Sequence, residues 1–168
     1  MELRNLDMET TSGNSAIRDP LHGAGGYPLV ILVGEDPERE ADLIREVLRS
    51  NGLRAALWVA GDGEDAMACV RREGKYGGAR RPDLIVLGMN IPKMSGLEVL
   101  TGLRNDPRLR RIPVVMWTAN ADESEVAQCY ELGAHSYIVK REDGAEFEDE
   151  LTSIFLYWLT IVELPPTE

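Results

Sequence analysis

Short apolar runs alternate with helix-patterned segments from Tyr27 almost to the end of the chain, and few folds accommodate such a rhythm. Leu29 to Val33, Ala55 to Ala60, Leu84 to Leu87, Ile112 to Trp117 and Ser136 to Val139 have the length and composition of buried strands. Between them lie helix signals. Asp36-Pro37 opens the first helix with Pro inside its first turn, Ala41, Ile44, Val47 and Leu48 form its apolar stripe, and Gly52 stands just past its end. GDGEDAMACVRR reads as a turn and short helix. Ser95 caps a helix running to Arg104, Ala121 to Leu132 is a helix closed by Gly133, and the last helix starts at Glu142.

Five strands alternating with five helices predict an α/β fold, a doubly wound five-stranded parallel sheet with helices on both faces. Right-handed crossovers then place a crevice at the carboxyl ends of the strands. Residues 1–26 show no hydrophobic period and read as a flexible N-terminal tail, and 27–168 as one domain with an extended apolar C-terminal helix.

The net charge of −11 argues against general binding to nucleic-acid backbones. Cys69 and Cys129 are too few for a disulfide scaffold and form no CxxC; both read as reduced, half-buried thiols. MELRNLDMET lacks the apolar core of a secretory signal, and no apolar run approaches the ~18 residues of a membrane span. A cytoplasmic location follows as an expectation.

The residues that follow the strands carry the chemistry. Strand one ends in Glu35-Asp36, strand three in Gly88, strand four in Thr118-Ala119 and strand five in Lys140. Two carboxylates, a hydroxyl and an ammonium facing one crevice suit a Mg²⁺ ion and a phosphoryl group. A dinucleotide site is disfavoured, because the first loop reads GEDPER instead of GxGxxG and its carboxylates would repel a pyrophosphate.

These elements together resemble a response-regulator receiver domain over roughly residues 28–164: the acidic pair, the MNIPKMSG loop, Thr118 and Lys140, in order. RREGKYGGARRPDL, RIPVVMWT, ELGAHSYIVK and FLYWLTIVELP resemble the single-domain regulators paired with phytochrome-like histidine kinases. The resemblance implies the flavodoxin-like receiver fold with strand order 2-1-3-4-5. It implies a phosphoryl and metal crevice formed by Glu35, Asp36, Asn90, Thr118 and Lys140, with Asn90 offering its backbone carbonyl and Tyr137 as the switch aromatic. It also implies that the phosphoacceptor Asp should stand where this chain has Gly88, which offers no oxygen to phosphorus or to metal. Gly34 and Arg141 depart from the family pattern as well, replacing an apolar residue and a Pro. With the acceptor missing, Glu35 and Asp36 are expected to hold Mg²⁺ weakly or to pair with Lys140 in a structural network, and no cofactor is required.

The last helix suggests a second working surface. SIFLYWLTIVELPP is apolar around most of its circumference, more than one sheet face requires. Phe155, Tyr157, Trp158, Leu159 and Val162 are therefore candidate interface residues, to which the receiver resemblance adds Tyr130 and Tyr137. The resulting expectation is a non-enzymatic, phosphorylation-independent signalling module acting as a homodimer or through a histidine kinase or phytochrome-like sensor. Two alternatives stay open: a phosphorylatable receiver carrying an inactivating Asp-to-Gly change, and a receiver-like sensor of a small ligand held by Thr118 and Lys140.

Overall fold

The computed structural model describes residues 10–11, 21, 26–141 and 144–167. Its strands are β1 (Thr10–Thr11), β2 (Leu29–Val33), β3 (Ala56–Val59), β4 (Leu84–Leu87), β5 (Val114–Thr118) and β6 (Ser136–Val139). The helices are α1 (Pro37–Ser50), α2 (Gly63–Arg71), α3 (Gly96–Asn105), α4 (Glu123–Glu131) and α5 (Gly144–Leu156), and Tyr157–Ile161 continues α5 as a π-helical turn. All pairings are parallel and the sheet order is β1-β3-β2-β4-β5-β6. The five predicted strands thus take the order 2-1-3-4-5, with one short strand added at the edge.

Alternation along the central strands explains why they read as unbroken apolar runs. Leu29, Ile31 and Val33 enter one core layer, beneath α2, α3 and α4; Val30 and Leu32 enter the other, beneath α1 and α5. Leu84 and Val86 likewise oppose Ile85 and Leu87. A strand covered on both faces has no solvent side on which polar residues could alternate.

Most of the helix signals act as written. Ser95 accepts from Glu98 N–H and Glu98 returns a bond to Ser95 N–H, a closed capping box. Gly52 and Gly133 take positive φ just beyond α1 and α4. Two boundaries shift. Pairing on β5 begins at Val114 instead of Ile112, because Pro113 has no N–H to give and contributes only its carbonyl, to Ile85 N. Helix α4 begins after Asp122, whose carboxylate caps Ser124 and Glu125. The predicted start at Glu142 lies outside the described residues.

Three findings differ from expectation. Most of the segment read as a tail lies outside the described residues, but Thr10–Thr11 pair with Leu57 and Trp58, and Leu21 is buried in the core with its carbonyl on Arg80 N–H. Thr10–Thr11 thus attach to the edge of the sheet, and Leu21 to the core and the loop before β4. The two thiols are fully buried instead of half-buried. The third concerns the last helix. Leu151, Ile154, Phe155 and Trp158 form one i, i+3, i+4, i+7 stripe facing the core, so Phe155 and Trp158 are packing residues and not surface ones. Leu159 and Val162 are half-buried against the same layer. The apolar surface left outside belongs to Leu156, Tyr157 and Ile161, with Ile161 72% exposed. No helix among the described residues is long and apolar enough to cross a membrane.

Candidate functional site

The crevice forms where β2, β4, β5 and β6 end. Parallel register brings their last residues level: Gly88 N–H bonds Val33 O at 2.8 Å, and Lys140 N–H bonds Thr118 O at 2.8 Å. Three loops and one strand end therefore face a common point. At that point stands the carboxylate of Glu35.

Glu35 Oε1 accepts from Met89 N at 3.2 Å, from Asn90 N at 3.5 Å and from the hydroxyl of Thr118. Its Oε2 accepts from Ala119 N at 3.5 Å and from Lys140 Nζ at 3.4 Å. Burial would raise the Glu35 pKa, but the Thr118 hydroxyl, the Lys140 charge and the Ala119 and Asn90 amides together hold it below the ordinary carboxylate range. Glu35 is an ionised group with a donor set built around it.

Glycine at 88 is what admits it. A Cβ on Gly88 would lie 2.9 Å from Glu35 Cγ and 3.4 Å from Glu35 N, too close for the Glu35 side chain to keep its place. Gly34 does the same for a second carboxylate. A Cβ there would fall on Glu40 Oε2 and lie 3.0 Å from Glu40 Cδ. Glu40 sits in the first turn of α1, only 4% exposed, with Oε1 on Lys140 Nζ and 3.4 Å from Asp36 N. Its Oε2 is buried with no hydrogen-bond partner among the described residues. Each of the two glycines that depart from the expected pattern thus makes room for one glutamate, and both glutamates converge on one lysine.

Lys140 is correspondingly enclosed. Its side chain is 11% exposed, and Nζ lies 4.7 Å from the centroid of the Trp117 ring. Trp117 is itself fixed by an Nε1 bond to Glu150 at 3.1 Å. Arg141 turns outward to the same Glu150 at 3.8 Å and adds nothing to the crevice.

The predicted site residues are partly reunited. Glu35, Thr118, Lys140 and the backbone of Asn90 meet. Asp36 does not join them; it is exposed at the start of α1, and the structural network expected for Lys140 runs through Glu35 and Glu40. Tyr137 reaches back from β6 to donate its hydroxyl to Asn120 O at 2.8 Å, while Tyr130 receives Tyr137 N–H at 3.1 Å. Burial, followed by the charges of Cys129, Glu125, Glu35 and Asp122, pushes the Tyr137 phenol up to about 12, so it remains a donor. Glu40 was missed because an acidic residue in a helix's first turn is ordinary, as Glu38 shows. The usable signal was Gly34, a missing side chain just ahead of that turn.

Magnesium needs near-octahedral oxygen ligands, usually one or two carboxylates and several waters. Glu35 has both oxygens occupied by donors, Gly88 has no carboxylate to give, and no cluster of three His, Cys, Asp or Glu residues able to hold a metal occurs among the described residues. In this arrangement the residues do not fit the ion.

The family model for the response regulator receiver domain matches residues 31–152. This chain belongs to that family. The response regulator Rcp1 of Synechocystis sp. is 37% identical over 138 residues, covering 82% of this chain and 94% of Rcp1. The crystal structure of the Mn(2+)-bound form of Rcp1 superposes with a TM-score of 0.78 at 35% identity, covering 83% of this chain and 99% of that one. The phosphorylated cyanobacterial phytochrome response regulator RcpA gives a TM-score of 0.79 at 34% identity, covering 84% and 100%. The chain is therefore a receiver of two-component signalling, similar over most of its length to phytochrome-associated response regulators.

Proposed function

We propose that this receiver signals by protein contact alone and takes no phosphoryl group at the strand-end position where the family carries its acceptor Asp. The observation that carries the reading is Gly88, which has no side-chain oxygen and beside which Glu35 takes the space that a Cβ would need. No Mg²⁺ is required, and the module turns over no substrate. Its partners are a second copy of the chain and a histidine kinase or phytochrome-like sensor, the latter suggested by the similarity to Rcp1 and RcpA.

The test is incubation of the full chain with acetyl phosphate and Mg²⁺, followed by intact mass. The expected result is no mass increment of one phosphoryl group. An acid-labile adduct on any residue of the crevice would overturn the reading.

The homodimer is supported by the apolar surface on the α4, β6 and α5 side. Tyr130 and Tyr157 are about half exposed (50% and 51%), and Val139, Leu156 and Ile161 are also open to solvent. Light scattering over a concentration series should give twice the chain mass for wild type and the chain mass for Ile161→Glu with Tyr157→Glu. Both positions are exposed, so their substitution spares the core that Trp158→Glu would break. A wild-type monomer at every concentration removes the second copy from the proposal.

A further inference from the structure

Five donors from three separate segments converge on one side chain that is not required to be there. Met89 and Asn90 come from the loop after β4, Thr118 and Ala119 from the end of β5, and Lys140 from the end of β6. Backbone N–H groups, a hydroxyl and an ammonium aimed at one point make a cradle for an anion with several oxygens. Glu35 belongs to none of those segments. It arrives from the loop after β2, across the space that a side chain at position 88 would occupy.

We propose that Glu35 is the permanent, intramolecular ligand of this anion cradle. Its carboxylate occupies the donors that a free oxyanion would otherwise take, and so keeps the three segments in one arrangement. The inference deepens the phosphorylation-independent reading, on which it rests, by naming what holds the crevice in a single state. Through Thr118 and Asn120 that state extends to Tyr137: Asn120 N–H meets Thr118 Oγ1 at 3.4 Å, and Asn120 O receives the Tyr137 hydroxyl. Glu40 is not equivalent. It reaches Lys140 from the side of α1 and touches none of the other four donors, so Lys140 keeps a carboxylate partner when Glu35 is removed.

The cradle can be emptied from either side. Glu35→Ala removes the resident carboxylate. Gly88→Ala displaces it without altering any donor, because the new Cβ would lie 2.9 Å from Glu35 Cγ. Inorganic phosphate is the probe, titrated into the full chain with thermal unfolding as the readout and chloride at matched ionic strength as the control. Wild type should show no phosphate-specific shift. Glu35→Ala and Gly88→Ala should each show a rise that grows with the logarithm of phosphate concentration and reaches about 4 °C once phosphate stands roughly tenfold above its dissociation constant. Adding Thr118→Val to Glu35→Ala should abolish that rise.

A phosphate-specific rise in wild type equal to that in the variants would mean that Glu35 does not occupy the cradle. A folded Glu35→Ala and a folded Gly88→Ala that both ignore phosphate would mean that the donors form no anion site. Either outcome overturns the inference while leaving the acetyl phosphate result untouched, whereas a phosphoryl adduct would overturn the functional reading by itself.

Discussion

Replacing Lys140 with Met is expected to lower the unfolding free energy by about 3–5 kcal/mol, the range for removing one member of a buried ion pair. Lys140 and Glu40 have side chains only 11% and 5% exposed, and Glu35 stands at 18%. Met conserves most of the aliphatic stem, so the loss measures the charge, including its contact with the Trp117 ring, and not volume. Without the ammonium, Glu40 keeps only the distant Asp36 N–H, while its second oxygen is already unpartnered among the described residues. Urea denaturation followed by fluorescence gives the value. The double variant Lys140→Met with Glu40→Met should recover most of the loss, since an apolar pair of similar volume is often as stable as a buried ion pair. A loss under about 1 kcal/mol would give the pair the value of an exposed one and remove its structural role.

Gly34→Ala should destabilise the fold by about 1–3 kcal/mol, although it adds a single methyl group. The added carbon falls on Glu40 Oε2 and lies 3.3 Å from Pro37 Cα, so the carboxylate must leave the place from which it reaches Lys140. The damage runs through Glu40, and a double-mutant cycle exposes this. In a Glu40→Ala background Gly34→Ala should cost a few tenths of a kcal/mol, a coupling of about 1–2 kcal/mol between the two positions. Equal costs in both backgrounds would place the strain in the backbone at Gly34 instead. Denaturant midpoints at constant slope are the measurement.

With no side-chain oxygen at Gly88, a cation and several amides would face an empty space, and buried donors without acceptors are costly. Glu35 and Glu40 supply the missing acceptors, and the two glycines supply the room. The crevice is an organised polar cluster in which both glutamates meet one lysine.

Much of this was legible in the chain itself. The five central strands, five helices, Ser95 cap and positions of Glu35, Thr118 and Lys140 at strand ends follow from local signals: runs of apolar residues, helical period and punctuation by Pro and Gly. Parallel pairing then makes the strand ends converge with no further information. The surface of the last helix was legible only in part. Its composition announced excess apolar area, but a near-continuous run hides the register, and the core takes Phe155 and Trp158 while Tyr157 and Ile161 stay outside.

Local properties, strand and helix periods and the identity of one residue, were enough for the architecture, for the place of the crevice and for the lack of a side chain at Gly88. Which side chains meet beside Gly88 came from tertiary packing alone. Glu35 meets Met89, Thr118 and Lys140 across gaps of 54, 83 and 105 residues, and Glu40 meets Lys140 across 100. No local pattern encodes such meetings. They depend on which side chain is short enough to yield space and which is long enough to cross it, and that is settled when the strand ends are packed together.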